Sequence, residues 1–248
     1  SQHTRAALEE LRDVYGDGVP VVCCQNGVSN EREALRRFRA VYAMLVYLPA
    51  QMLAPGCIQC HSTLKSGVLD LGLYPDGADD RCAEIAGRLD AVNLSAKPDG
   101  KIMRFKYEKL LTNLNNALDA VAPKGDLAAE IRAQLLAEGR SCYAAAGIDC
   151  ASDEEVKARR EGMFATGDIP GVPRAGGSSR QSLMRGTGDI EADYLNGEIV
   201  QLGRLHGVAT PANAVLQRLA VEAARVRAEP GAMALEDIRA QIDRFSST

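Results

Sequence analysis

The run Val19-Pro-Val-Val-Cys-Cys24 constrains this chain more than any other feature. It is short, wholly apolar and rich in β-branched residues, the pattern of a strand buried on both faces of a parallel sheet. Its flanks agree. Residues 4–15 read as a helix, with Thr4 placed to cap it and Ala7, Leu8, Leu11 and Val14 forming a stripe, and residues 16–20 end it. Gln25-Asn26-Gly27 turns directly off the strand. Residues 29–38 give a second helix, with Ser29 as cap and Arg36, Arg37 and Arg39 at an end that suits the helix dipole. Residues 41–48 are again strand-like. An α-β-α-β order implies parallel pairing. Strands are then expected at 57–62 and 67–72, a helix at 79–91, a last strand at 92–95 and a linker at 97–100.

Beyond that linker the period changes to 3.6. Residues 101–121, 126–146, 152–164, 178–185, 191–206, 211–229 and 235–245 all read as helices, and 167–177 as a Gly- and Pro-rich loop. The fold class is therefore α/β plus all-α: a partial parallel-sheet domain over 1–98, then a helical domain over 99–248. An open α/β sheet binds ligands at the carboxyl ends of its strands, which is where Asn26 lies.

Composition removes several function classes. Hydrophobic residues make up 46% and charged residues 25%, so the chain can build a core. A net charge of −4, with aromatics at 4% and no Trp, argues against nucleic acid and anionic membranes as partners. The longest apolar stretch, near 41–53, is broken by Pro49 and Gln51 and is too short to span a bilayer. Residues 1–10 are polar and show no secretory signal, although the chain does not begin with Met. Seven cysteines fit no small-disulfide framework, and reduced thiols in a cytoplasmic protein are the expected state.

Helix 101–121 places Lys109, Asn113 and Asn116 on one face, while Leu110, Leu111, Leu114 and Leu118 point elsewhere. One Lys and two Asn do not make a core stripe, and Asn is a poor helix former; the alternative is a polar face by chance. Ser178 or Ser179 caps the helix after the Gly-rich loop, and the N–H groups of such a start can hold a carboxylate. Asp189, Glu191 and Asp193 open the following helix, where acidic residues complement the dipole.

Gln25-Asn26-Gly27, Lys109-Leu-Leu-Thr-Asn113, Ser178-Ser179, Ile190-Glu-Ala-Asp-Tyr-Leu-Asn-Gly197 and His206-Gly-Val-Ala-Thr-Pro211-Ala-Asn213 stand in the order and spacing of the ketopantoate reductase family, which the chain resembles over almost its whole length. The resemblance implies a Rossmann-like NADP-binding domain followed by a helical substrate-binding and catalytic domain. It implies reduction of the 2-dehydropantoate ketone to pantoate with NADPH as hydride donor, and so a small-molecule 2-oxoacid as partner. Lys109 would protonate the developing alkoxide. Glu191 would hydrogen-bond the substrate oxygen, orient Lys109 and lie near the cofactor. Asn113 and Ser179 would hold the substrate. Asn26 would bind near the nicotinamide and the reacting carbonyl, with Gln25 beside it on the cofactor side.

The chain departs from the family pattern in three places. The opening Gly-x-Gly-x-x-Gly has no counterpart near Ser1, and Gly186-Thr-Gly188 does not follow a strand, so the chain is expected to begin partway through the nucleotide domain and to bind NADPH poorly unaided. Asn116 stands one place from where the family often carries another substrate-binding Asn. Residues 175–177 lack the usual substrate-loop Asn, which leaves another 2-oxoacid as an alternative substrate. A non-catalytic helical dimerisation module is a further alternative, and a homodimer is compatible with either.

Cys57-Ile-Gln-Cys60-His61 matches the c-type haem attachment pattern. It falls in an expected hairpin, however, and zinc would need two further ligands that only Cys82 and the distant His206 offer. No metal is expected, and the motif reads as a pair of thiols on an edge strand.

Overall fold

A computed structural model describes residues 1–163 and 165–246. In chain order the elements are α1 (Thr4–Tyr15), β1 (Val21–Cys23), α2 (Asn30–Leu35), β2 (Val41–Met44), β3 (Ala50–Ala54), β4 (Cys57–Cys60), β5 (Leu71–Leu73), α3 (Asp80–Asp90), α4 (Ile102–Asn113), α5 (Asn115–Val121), α6 (Asp126–Ala146), α7 (Asp153–Arg160), α8 (Ser178–Arg185), a 3-10 turn (Glu191–Tyr194), α9 (Asn196–His206), α10 (Pro211–Arg225) and α11 (Leu235–Ser246). The expected end of α7 at Phe164 lies outside the described residues. The chain packs as two compact units. The first holds residues 3–109 and 150–174, and the second holds 110–149 and 175–248.

The first unit is built on a three-stranded sheet of order β1-β2-β5. β1 and β2 are parallel, as the α-β-α-β opening requires, but β5 runs antiparallel to β2, so the sheet is mixed. Leu8, Cys23, Ala34 and Phe38 pack on one side, and Tyr42, Met44, Leu71 and Cys82 form a second cluster.

The expected hairpin of 57–62 with 67–72 is not formed. β4 pairs with β3, a strand the sequence reading missed, because the turn at Gly56 has a φ of +78° and closes that pair first. The expected strand at 92–95 is also absent. Ser95 and Pro98 run beside Val68 and Leu71 as single bridges, and Pro98 has no N–H to donate to a ladder. This segment comes so close to β5 that a Cβ on Gly72 would meet the Asp99 carbonyl.

Residues 150–174 belong to the first unit because of charge as well as apolar contact. Arg159 donates through Nε and Nη2 to both carboxylate oxygens of Asp70, which also accepts from the Lys97 amide at 3.0 Å. α7 itself starts from a capping box between Ser152 and Glu155.

The second unit is wholly helical. Helix 101–121 is two helices, because the ladder breaks at Leu114. The Leu114 carbonyl accepts instead from Asn196 Nδ2 at 3.0 Å. Residues 191–206 divide likewise into a 3-10 turn and α9. Gly139 lets α6 lie against Leu111, Leu114 and Ile199, since a Cβ there would stand 2.6 Å from Leu111 Cδ2.

A buried polar network fastens these helices. Thr210 makes no side-chain cap for α10, and Glu138 of α6 does so in its place. Its carboxylate accepts from the Ala212 amide at 2.9 Å, the Asn213 amide at 3.0 Å and Asn213 Nδ2 at 2.8 Å, while Asn196 Nδ2 donates to Asn213 Oδ1 at 3.0 Å. A carboxylate on a helix N-terminus is favourable both for the dipole and for the otherwise orphaned amides. Glu138→Ala strands three buried donors. It should lower the unfolding free energy by about 2–3 kcal/mol, seen as a lower urea midpoint at unchanged m-value.

Candidate active site

The first unit brings Gln25, Asn26 and Lys109 into one small cleft, lined also by Gly27, Met44 and Lys106. The cleft lies at the carboxyl ends of the parallel strands β1 and β2, where α/β sheets bind ligands. The turn that carries Asn26 is tightly held. The Asn26 carbonyl accepts from Asn30 Nδ2 at 2.9 Å and from Ser1 Oγ at 3.0 Å. Asn30 is buried, and Thr4 Oγ1 donates to its Oδ1 at 2.8 Å. Thr4 and Ser29, read as helix caps, make no capping hydrogen bond, and the Thr4 hydroxyl serves this network instead. The side-chain amide of Asn26 is left without a hydrogen-bond partner among the described residues, and so is the buried Oε1 of Gln25.

The two lysines of the cleft differ sharply. Lys106 is 4% exposed. Its ammonium has three oxygens around it: Glu31 Oε1 at 2.7 Å, the Gln25 carbonyl at 3.0 Å and the Met44 carbonyl at 3.1 Å. Two of its N–H donors go to the carbonyls, and the Glu31 carboxylate pairs with its charge at close range without hydrogen-bond geometry. Lys109 is half-buried, and its Nζ lies 5.1 Å from the centre of the Tyr47 ring. Arg160 stands 4.9 Å from the same ring. The Tyr47 hydroxyl donates to Glu108 Oε2 at 2.8 Å, and its phenol is held above the usual range by burial and by the Glu108 charge.

Lys106, Glu31, Asn30 and Tyr47 all escaped the sequence reading. The only signal for Lys106 was its place three residues before Lys109, on the same helix face.

Asn113, Ser179 and Glu191 belong to the second unit. Asn113 is the last residue of α4, one turn beyond Lys109. It is buried, and its Nδ2 has no hydrogen-bond partner among the described residues. A buried donor without an acceptor is unfavourable by about 1–3 kcal/mol, so it marks a place where a ligand oxygen would be welcome. Ser179 is buried in the first turn of α8, whose N-cap is Gly177; neither serine makes the expected cap. Glu191 opens the 3-10 turn and is half-buried. Asn116 donates to Ser178 Oγ at 3.4 Å, and Asp193 accepts from Gln217 at 2.9 Å.

All seven cysteines are thiols. Among the described residues no group of His, Cys, Asp and Glu could hold a metal ion, and no helix is long and apolar enough to cross a membrane.

An α/β unit with an Asn turn and a helix-borne lysine at its parallel strand ends, together with a helical unit, is the plan shared with solved ketopantoate reductases. The family models establish the family. The N-terminal model "Ketopantoate reductase PanE/ApbA" matches residues 1–76, and the C-terminal model "Ketopantoate reductase PanE/ApbA C terminal" matches 101–223; the chain belongs to this family. Membership makes it a ketopantoate reductase-like oxidoreductase in kind.

Among relatives, the 2-dehydropantoate 2-reductase of Aquifex aeolicus (strain VF5) is 23% identical over 235 residues, covering 88% of this chain and 72% of that one. A PanE/ApbA family ketopantoate reductase from Ralstonia eutropha JMP134 superposes with a TM-score of 0.69 at 24% identity, over 99% of this chain and 74% of that one. A D-mandelate dehydrogenase in complex with NADH gives 0.72 at 23%, over 91% and 77%.

Cys23, at the end of β1, reports on the charge near the cleft. Burial first, and then the Glu31 carboxylate, push its thiol from 9.0 up to about 12. It should stay unlabelled by a thiol reagent at pH 8, while exposed Cys57 labels readily. The folded state holds the proton that the unfolded thiol loses, so this group's contribution to stability falls as pH rises above 9 toward about 12. A Cys23→Ala variant should show a flatter decline of thermal midpoint over that window.

Proposed function

We propose that this chain is a cytoplasmic NADPH-dependent reductase that converts 2-dehydropantoate to pantoate. The observation that carries the reading is the strand-end cleft, in which Asn26 offers an unpaired side-chain amide beside Lys109, while the neighbouring Lys106 is tied to the strand-end carbonyls and Glu31. The name of the Aquifex relative and the family membership support it, as do seven cysteines that all remain thiols.

The residues present fit the nicotinamide end of the cofactor. A carboxamide both donates and accepts, and the cleft supplies a buried acceptor in Gln25 Oε1 and an unpaired amide in Asn26. The bound cofactor supplies the hydride. Lys109 then does the protein's share of the chemistry. Its ammonium draws charge onto the substrate oxygen as an alkoxide develops, and then gives that oxygen a proton from Nζ. Asn113, with its unpaired Nδ2, suits a substrate hydroxyl or carbonyl oxygen, and Ser179 at the start of α8 suits a carboxylate. Glu191, half-buried at the start of the 3-10 turn, is read as a further group for the substrate oxygen.

A second reading keeps the reaction and changes the acid. The D-mandelate dehydrogenase structures, one with NADH and one with NADH and anilino(oxo)acetate, share the fold. The Gly-Gly stretch at 176–177 lacks the substrate-loop Asn that the family resemblance leads one to expect, so the contact that would select ketopantoate has no counterpart there. An aromatic 2-oxoacid with NADH is then the substrate pair.

NADPH and NADH oxidation, measured with ketopantoate and with a panel of 2-oxoacids on the protein expressed from its complete reading frame, separates the two. The expected result is turnover with ketopantoate and NADPH, falling about 10²–10⁴-fold in Lys109→Ala. Turnover only with aromatic 2-oxoacids selects the second reading. A protein that binds neither cofactor and reduces nothing is a non-catalytic module.

A further inference from the structure

We infer that Lys106 is a positioning residue: its ammonium locks the Gln25-Asn26-Gly27 turn and helix α4 together, and so sets where Asn26 stands relative to Lys109. The inference rests on the reading of this cleft as the reductase site.

The lock is visible atom by atom. Gln25 O closes the strand-to-turn corner of β1, and Met44 O ends β2. Lys106 Nζ binds both, at 3.0 and 3.1 Å, and reaches Glu31 Oε1 at 2.7 Å. One side chain of α4 thus ties the two parallel strand ends to the first turn of α2. The carbonyl of Gln25 and the amide of Asn26 share one rigid peptide plane. An ammonium on that carbonyl therefore fixes the plane on the N-terminal side of Asn26. Asn30 Nδ2 and Ser1 Oγ fix the plane on the other side through the Asn26 carbonyl. With both planes held, the direction of the Asn26 side chain is set before any ligand arrives. Lys106 also fixes the rotation of α4 about its axis, and Lys109 follows three residues later on the same face.

Stability alone does not account for this arrangement. The side chains of the pair are 3% and 0% exposed. Desolvating two charges offsets much of their attraction, and apolar replacement of such a pair is often neutral for stability. What an apolar pair cannot do is hold two carbonyls at the strand ends. Placement matters for rate because a displacement of about 1 Å in a reacting group can lower turnover about 10²-fold.

The test is the double variant Lys106→Met/Glu31→Leu, which removes both charges together. The thermal midpoint should fall by several degrees, because the Gln25 and Met44 carbonyls lose their donor, and both assays are run well below it. kcat should fall about 100-fold, with the Km for the 2-oxoacid changed much less. The backbone ¹⁵N order parameters of Asn26 and Gly27 should drop from about 0.85 to below about 0.6, while those of α6 hold. Unchanged kcat and unchanged order parameters would overturn the inference. If the double variant fails to fold, Lys106→Arg takes its place: the charge beside Glu31 remains, but a planar guanidinium cannot direct three donors at the same three oxygens, and the same two readouts apply. If the parent reduces no 2-oxoacid, the functional reading fails on its own. The order parameters then decide Lys106 separately: a drop at Asn26 and Gly27 upholds the lock, and no change refutes it.

Discussion

An ammonium group taken out of water must be surrounded by oxygens, and in this chain the oxygens that satisfy Lys106 are those at the working end of the sheet. The Gln25 and Met44 carbonyls are strand-end acceptors that the ladder no longer uses, and Glu31 supplies the counter-charge from the next helix. A single buried cation thus meets two needs. It fills acceptors that would be unfavourable if left bare, and it converts a flexible corner into a fixed one. The difference between Lys106 and Lys109 follows from surroundings alone. The first is held by two backbone carbonyls and a buried carboxylate; the second lies half-buried over an aromatic face, where the ring's quadrupole attracts its charge.

The second unit uses the same device with the sign reversed. There a buried carboxylate, Glu138, gathers backbone and side-chain donors at the start of α10, and Asn196 and Asn213 carry the network on to the carbonyl exposed by the break at Leu114. The break is what makes Asn113 the end of a helix rather than its middle. A terminal position frees its side chain from the crowding of a continuing helix, and Nδ2 remains buried and unpaired. Most buried polar groups in native proteins are paired. In this unit Glu138 and Asn213 are, whereas Asn113 Nδ2 is not.

Local rules were enough wherever an element ends by its own sequence. α1, α6 and α8 have the bounds that their stripes and following glycines define; Gly147 and Gly186 take the left-handed conformation that stops a helix. Elements decided by distant partners could not be read that way. Ala50–Ala54 has no strand signature of its own and is a strand only because β4 lies beside it. The break at Leu114 sits inside an unbroken leucine stripe and depends on Asn196, 82 residues away. The return of residues 150–174 to the first unit depends on an ion pair between Asp70 and Arg159, 89 residues apart. The site shows the same division. Gln25, Asn26 and Lys109 were visible as motif and helix face, whereas Lys106 looked like one more surface lysine until its three oxygens were in place.

The residues that act on a ketone need not be those that choose which ketone. The roles proposed for Asn26 and Lys109 concern the carbonyl common to every 2-oxoacid, so they would suit ketopantoate and aromatic oxoacids alike. Discrimination has to come from groups that meet the rest of the molecule, and the start of α8, proposed for the shared carboxylate, is a separate matter. There Asn116 is already committed. Its Nδ2 reaches Ser178 Oγ, and its Oδ1 stands 3.1 Å from where a Cβ on Gly177 would be. An asparagine braced in this way supports the helix start rather than a ligand, and it keeps position 177 small. The bracing leaves Ser179 buried in the first turn of α8, whose amides are set for an anion, with little side-chain bulk before it. A carboxylate, like the keto group, is shared by all the candidate substrates. A helix start proposed for the shared acid end would not tell one 2-oxoacid from another, which is why a substrate panel, and not the fold, separates the two reductase readings.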